Sequence, residues 1–349
     1  MRVCTCSRPL TSRITWALWV FLLAGAIGQA GATEQEILGG HEGWLDRMGG
    51  GIRELGMGNA GTASEEAMPA AYWNPAVLPF EKRTAVGLGA DVRSLQRNGG
   101  YAALQGRVAA NLGMGVGLIN RGDWKVDVYD EDEHLRGTAR PQAIGSWVGL
   151  GVKTSRVNAF GAAVQWYSAD LDYEDGTGNV NVIGVVNLGW YRRFGERLRA
   201  AVVVRNLGLN SDLSARIDQT TVTGEEDASG FDHTSTDFFP KTLVLAGQYT
   251  LTAWNRKWDI GLEALDYQLK DGLYSLDANF HHQAFRAGVE CHVTDALGAR
   301  GGFDGGNLSL GMGYVFPWGR NRLAFDYALL LERGWLTVNP FAVGLRYHL

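Results

Sequence analysis

From about residue 84 to the end of the chain, apolar side chains recur at every second position with small or polar residues between them. That is the period of a β-strand whose two faces meet two different environments. Leu308, Leu310, Met312, Tyr314 and Phe316 alternate with Ser309, Gly311, Gly313 and Val315; Trp258, Ile260, Leu262 and Ala264 alternate with Asp259, Gly261 and Glu263. Leu112, Met114, Val116 and Leu118 are separated by nothing but Gly113, Gly115 and Gly117.

The pattern predicts strands at 84–92, 100–109, 112–121, 143–153, 158–168, 181–192, 198–206, 241–250, 256–267, 283–292, 297–303, 306–315, 321–331 and 340–348, about fourteen in all. The even number suits a single-chain bacterial barrel. A soluble sandwich also alternates, and the connections separate the two architectures. Tight links follow every second strand: Ala110-Asn111, Thr154 to Val157, Arg193 to Arg197, Leu251 to Asn255, Val293 to Ala296 and Phe316 to Arg320. The intervening links are mostly long and polar, notably Gly122 to Gln142, Ala169 to Val180, Leu207 to Pro240 and Gln268 to His282. An up-and-down barrel sorts its loops in this way, with short periplasmic turns and long extracellular loops, whereas a Greek-key sandwich has no reason to. The fold class expected is therefore all-β, an antiparallel transmembrane β-barrel of about 14 strands.

The start of the chain has a different pattern. Arg2, Arg8 and Arg13 precede an apolar run from Trp16 to Ile27 and the small residues Ala30-Gly31-Ala32, which predicts a signal peptide over residues 1–32 and export. Removing its three arginines takes the formal net charge from −5 to −8, which disfavours a nucleic-acid partner. It also leaves Cys291 as the one remaining cysteine, so no internal disulfide supports the fold. Glycine, at 48 of 349 residues, is about twice its usual frequency of roughly 7% and has no collagen period.

Candidate chemistry is sparse. Gly56, Gly58 and Gly61 in ELGMGNAG match G-x-G-x-x-G, but the strand, helix and βαβ frame of a dinucleotide fingerprint is missing. In the following YWNPAVL, Asn74 suits a helix cap and Pro75 the first position of a short helical turn. Arg199, Arg205, Asp259, Glu263, Arg286, Glu290 and Asp326 fall on the faces opposite the apolar ones, and their mixed signs predict mutual pairing in a polar lumen. Asp259 and Glu263, four residues apart on one strand, are weighed as a catalytic pair and set below structural pairing. The acidic stretches Asp127–Glu133 and Asp170–Asp175 lack EF-hand spacing. His281-His282, placed in a loop, and Cys291-His292 form no zinc spacing, and no hydrolase or metalloprotease motif occurs. No enzyme activity, cofactor or metal is expected.

RELGMGNAGTA, AAYWNPAVL and the later AFRAGVE, ALGARGGF, LSLGMGYVF and LAFDYAL resemble the FadL-type outer-membrane barrels, most of all their PorV/PorQ relatives, over essentially the whole mature chain. The resemblance implies 14 strands over residues 83–349 and a hatch, residues 33–82, folded into the lumen. Gly56, Met57, Gly58, Asn74, Pro75 and Ala76 would be hatch residues, either gating or purely structural. The terminal FAVGLRYHL resembles the strand signal read by the barrel-assembly machinery, with Leu349 where an aromatic residue is usual. The implied surroundings are outer-membrane lipid and lipopolysaccharide. Two functions stay open: passage of hydrophobic small molecules, with Phe231, Phe238 and Phe239 in a long loop at the entrance, or a non-transporting role as partner of exported proteins.

Overall fold

A computed structural model describes residues 49–92, 98–122, 126–129, 135–173, 176–208, 241–270, 279–331 and 341–349. The expected signal peptide, the first part of the expected hatch, and the loop with Phe231, Phe238 and Phe239 lie outside the described residues. So does most of the acidic stretch 127–133.

Alternating apolar and small residues make the strands β1 (Ala85–Val92), β2 (Asn98–Arg107), β3 (Leu112–Gly122), β4 (Val126–Tyr129), β5 (Leu135–Lys153), β6 (Asn158–Tyr173), β7 (Gly176–Phe194) and β8 (Leu198–Gly208). They continue as β9 (Lys241–Ala253), β10 (Arg256–Lys270), β11 (Asn279–His292), β12 (Leu297–Asp304), β13 (Asn307–Trp318), β14 (Asn321–Leu331) and β15 (Phe341–His348). Every pairing is antiparallel between sequence neighbours, apart from the two that close the ring and bypass β4. β1 pairs with β15, setting Ala85 opposite His348; β3 pairs with β5, setting Leu112 opposite Val152. The short β4 continues the line of β3 and pairs with the start of β5, so the fifteen stretches make a closed barrel of fourteen strands.

The main departure from the sequence reading is at the long-loop end. Ala169 to Val180 and much of Gly122 to Gln142 were expected as loops, but β6 runs to Tyr173, β7 starts at Gly176, and β5 starts at Leu135. His281-His282 likewise lie on β11. Hydrophobic alternation marks only the part of a strand that meets an apolar phase; the ladder continues beyond it because backbone pairing needs no apolar side chain.

The outer face carries Leu88, Leu104, Leu118, Leu150, Phe160, Leu188, Leu245, Leu310 and Phe325, all exposed. Trp254, Trp318, Phe194 and Phe316 stand at the tight-turn rim. An apolar belt with an aromatic girdle is what a barrel offers to lipid, and no helix among the described residues is long and apolar enough to cross a membrane.

The inner face is filled by the chain itself. Residues 49–81 are buried except for Glu65 and Glu66, and contain the helices α1 (Ile52–Gly56) and α2 (Ala70–Trp73) and a 3₁₀ helix, Pro75–Phe80. Asn74 caps the last of these by accepting the Ala76 N–H at 2.9 Å, with Pro75 at its first position. The glycine excess then has a structural cause. A Cβ on Gly311 of β13 would stand 3.0 Å from the Gly56 Cα, and one on Gly261 of β10 3.0 Å from the Ala60 carbonyl oxygen. A Cβ on Gly113, Gly151 or Gly161 would stand closer still to the backbone of Leu78, Pro75 and Ala76, respectively. Inward strand positions are glycine where the interior segment's backbone passes.

Candidate functional site

The lumen divides along its axis. Toward the tight turns it is charged. Arg53 of α1 donates to Glu290 of β11 at 2.6 Å, to Glu54 at 3.1 Å and to the Ser64 hydroxyl at 3.1 Å. Arg300 of β12 joins Glu290 and Asp326, each at 2.7 Å, and Arg346 of β15 joins Asp326 at 2.7 Å. The result is a buried chain of charges from the interior segment across β11, β12, β14 and β15, passing over β13 between Arg300 and Asp326. Such groups are stable out of water only when each is paired and hydrogen-bonded.

All seven charges singled out from the sequence face inward, but most of their partners are residues the pattern did not single out. Glu263 accepts the Thr62 N–H at 2.6 Å, and Arg205 donates to the Trp73 carbonyl at 3.2 Å while lying over the Tyr72 and Trp73 rings. Arg286 bonds Asp304 at 2.7 Å, and Arg199 bonds Thr250 at 3.2 Å. Asp259 meets Lys257 and His292, each at 2.9 Å, so Asp259 and Glu263 engage separate partners and make no dyad. Arg300 and Arg346 could have been found by strand parity. Arg53, Thr62 and Glu65 carried no signal, because the interior segment has no strand period.

Of the residues named as hatch candidates, Gly56 and Gly58 lie against β13 and β12. Gly58 has φ +60°, donates to Ser309 at 3.0 Å and abuts the Phe303 backbone. The Met57 carbonyl faces Gly288 of β11, and Asn74, Pro75 and Ala76 face Gly189, Gly151 and Gly161. The glycine run thus packs backbone against backbone in the place where a phosphate cradle was considered.

Asp259, Glu290 and His292 bring ligand atoms within 4.8 Å of one another, the one grouping of this kind among the described residues. Arg53 and Arg300 already hold both oxygens of Glu290, and Lys257 holds Asp259, so the local field opposes a further cation.

A cavity of about 600 Å³ opens beside this network at the turn end. Glu65, Glu66 and Phe80 line it from the interior segment, and Arg199, Gln248, Asp259, His292 and Arg346 from the wall. Glu81, also on its lining, is pushed up to about 7 by burial, against a hydrogen bond from Gln105. Gln105 binds three groups at once, accepting the Ala70 N–H at 2.7 Å and donating to the Ala67 carbonyl at 3.0 Å and to Glu81.

Toward the long-loop end the inward side chains turn apolar: Tyr101, Ile119, Trp147, Tyr167 and Val185 on one side, and Val203, Val244, Leu265 and Tyr267 on the other. Polar groups are buried at the same level: Arg121, paired with Asp91, and Gln165, Asn187, Arg205 and Thr242, with Arg205 and Thr242 beside Tyr267.

No protein-family model and no curated protein matches the chain. Solved structures do. The toluene transporter TbuX of Ralstonia pickettii superposes with a TM-score of 0.55 at 12% identity, covering 86% of this chain and 98% of that one. A FadL homologue of Pseudomonas aeruginosa gives 0.52 at 12% identity over 85% and 97%. The toluene transporter TodX of Pseudomonas putida gives 0.53 at 11% identity over 84% and 95%. At these identities the likeness is one of fold: the FadL-like barrel of fourteen strands.

Proposed function

We propose that the chain is an outer-membrane barrel through which hydrophobic small molecules pass, with residues 33–82 as its hatch. The observation that carries this reading is the group of apolar and aromatic side chains facing inward in the long-loop half of the barrel, Tyr101, Ile119, Trp147, Tyr167, Leu265 and Tyr267, set among the buried polar residues Arg121, Gln165 and Arg205. A porin that passes polar solutes keeps its interior polar, so an aromatic interior closed below by a plug suits an apolar solute. The toluene transporters of the same fold support it. In this orientation the tight turns face the periplasm and the charged cavity is the exit. The alternative role as a partner of exported proteins rests on short stretches of sequence likeness, and the apolar half-lumen favours passage.

Uptake tests it. Cells producing the protein should take up labelled toluene or a long-chain fatty acid faster than cells without it, with uptake of a small sugar unchanged. Equal rates for the hydrophobic probes would reject the reading.

A further inference from the structure

The interior segment is attached to the wall in two physically different ways. On either side of residues 61–67 its backbone is wedged into wall glycines, with Gly56 on Gly311, Met57 on Gly288, Ala60 on Gly261, and Pro75 and Ala76 on Gly151 and Gly161. Moving these parts would require the strands to separate. Between these parts, residues 64–66 are held by polar groups, with Ser64 on Arg53, Glu65 on β7 and β8 and the Glu66 carbonyl on Arg346, whereas Ala63, Ala67 and Met68 are buried in the apolar core with Met68 against Gly87 of β1. The polar contacts can be exchanged for others without opening the barrel.

Glu65 is the most elaborate of them. Its carboxylate accepts the Tyr191 hydroxyl and the Arg193 guanidinium of β7, and Arg199 of β8 lies 3.8 Å away. Phe80 forms an apolar flank. The Tyr191 ring meets it edge-on at 5.0 Å, and Arg193 and Lys153 lie over it at 4.3 Å and 4.4 Å. Burial pushes the Glu65 carboxyl up, but the hydrogen bonds from Arg193 and Tyr191 and the charges of Arg193 and Arg199 hold it below the usual carboxylate range. A phenol, several cations and an aromatic wall thus converge on one carboxylate beside a cavity of about 600 Å³, and that carboxylate belongs to the chain itself.

We propose that Tyr191, Arg193 and Arg199 form a carboxylate-binding subsite at the turn end of the lumen. Glu65 occupies it as an internal ligand until a small organic carboxylate in the cavity displaces it and frees residues 64–66. The planar guanidinium and the phenol match a carboxylate, as Glu65 itself demonstrates, and Phe80 selects one with an apolar body. This goes beyond the passage reading and does not depend on it, because binding can be read without transport.

The probe is octanoate, with octanol as its uncharged counterpart, titrated calorimetrically into the full-length protein in an uncharged detergent. Glu65→Gln should bind octanoate about tenfold more tightly than the unaltered protein, roughly the gain from one charge-assisted hydrogen bond no longer spent on Glu65. Octanol binding should not change, and adding Arg193→Gln should remove the gain. Equal octanoate affinity with and without Glu65→Gln, or a gain that survives Arg193→Gln, would overturn the proposal. The unaltered protein supplies a measurement that needs no variant. Saturating octanoate should speed amide hydrogen exchange in residues 64–66 and leave 52–58 and 75–80 unchanged, whereas octanol should leave all three unchanged. Exchange in 64–66 unaffected by octanoate would equally sink it.

Discussion

Arg53 and Glu290 lie 237 positions apart in the chain and 2.6 Å apart in the lumen, each nearly devoid of solvent exposure. This contact joins the interior segment to a wall strand, in a network where Glu290 also meets Arg300 and Arg53 also meets Glu54, and removing one buried charge leaves its partners short of compensation. Arg53→Met should therefore destabilise the barrel by about 3–5 kcal/mol. Combining it with Glu290→Gln should recover part of the loss. Urea unfolding followed by tryptophan fluorescence in micelles measures both.

Two glycines with nearly the same backbone separate conformational strain from crowding. Gly58 at φ +60° abuts the Phe303 backbone, while Gly319 at φ +62° in a turn has nothing within 4 Å of its would-be Cβ. Gly319→Ala should cost about 1–2 kcal/mol from strain alone. Gly58→Ala should cost about 2–5 kcal/mol by adding a steric clash with β12. The difference between the two unfolding free energies isolates the packing term.

Glu81 gives the stability a pH dependence of known sign. Its carboxyl is raised from the ordinary 4.5 to about 7 by burial, so the folded chain holds this proton more tightly than the unfolded one. Its contribution is full below about pH 4.5 and is lost as pH rises through about 7. Glu81→Gln should therefore gain stability relative to the unaltered protein at pH 8 and little at pH 4. Unfolding midpoints at the two values check this, and a gain confined to acid pH would contradict it.

Leu118, exposed on the outer face of β3, distinguishes lipid from water as the surroundings. Leu118→Arg should cost about 2–4 kcal/mol when the barrel folds into vesicles, as for a charge near the bilayer midplane. In water, an exposed leucine exchanged for arginine would cost almost nothing.

The wall was legible in the order of residues alone. The apolar positions of β13, from Leu308 to Phe316, all point outward, and the expected strand bounds match the observed ones closely at the tight-turn end. A period of two is a local property, and lipid on one face enforces it residue by residue. The same local signal faded where β5, β6 and β7 extend beyond the apolar belt, since pairing there depends on backbone bonds that any side chain permits. What fills the lumen depends on contacts made in three dimensions. ELGMGNAG lacks a period, and its meaning depends on Gly288, Gly302 and Gly311, more than two hundred residues further on, leaving room for its backbone. The inward charges were legible as inward, because strand parity says so. Their partners Arg53, Thr62 and Glu65 were not, because a segment that folds only against the inside of a finished barrel has its environment set entirely by contacts distant in sequence.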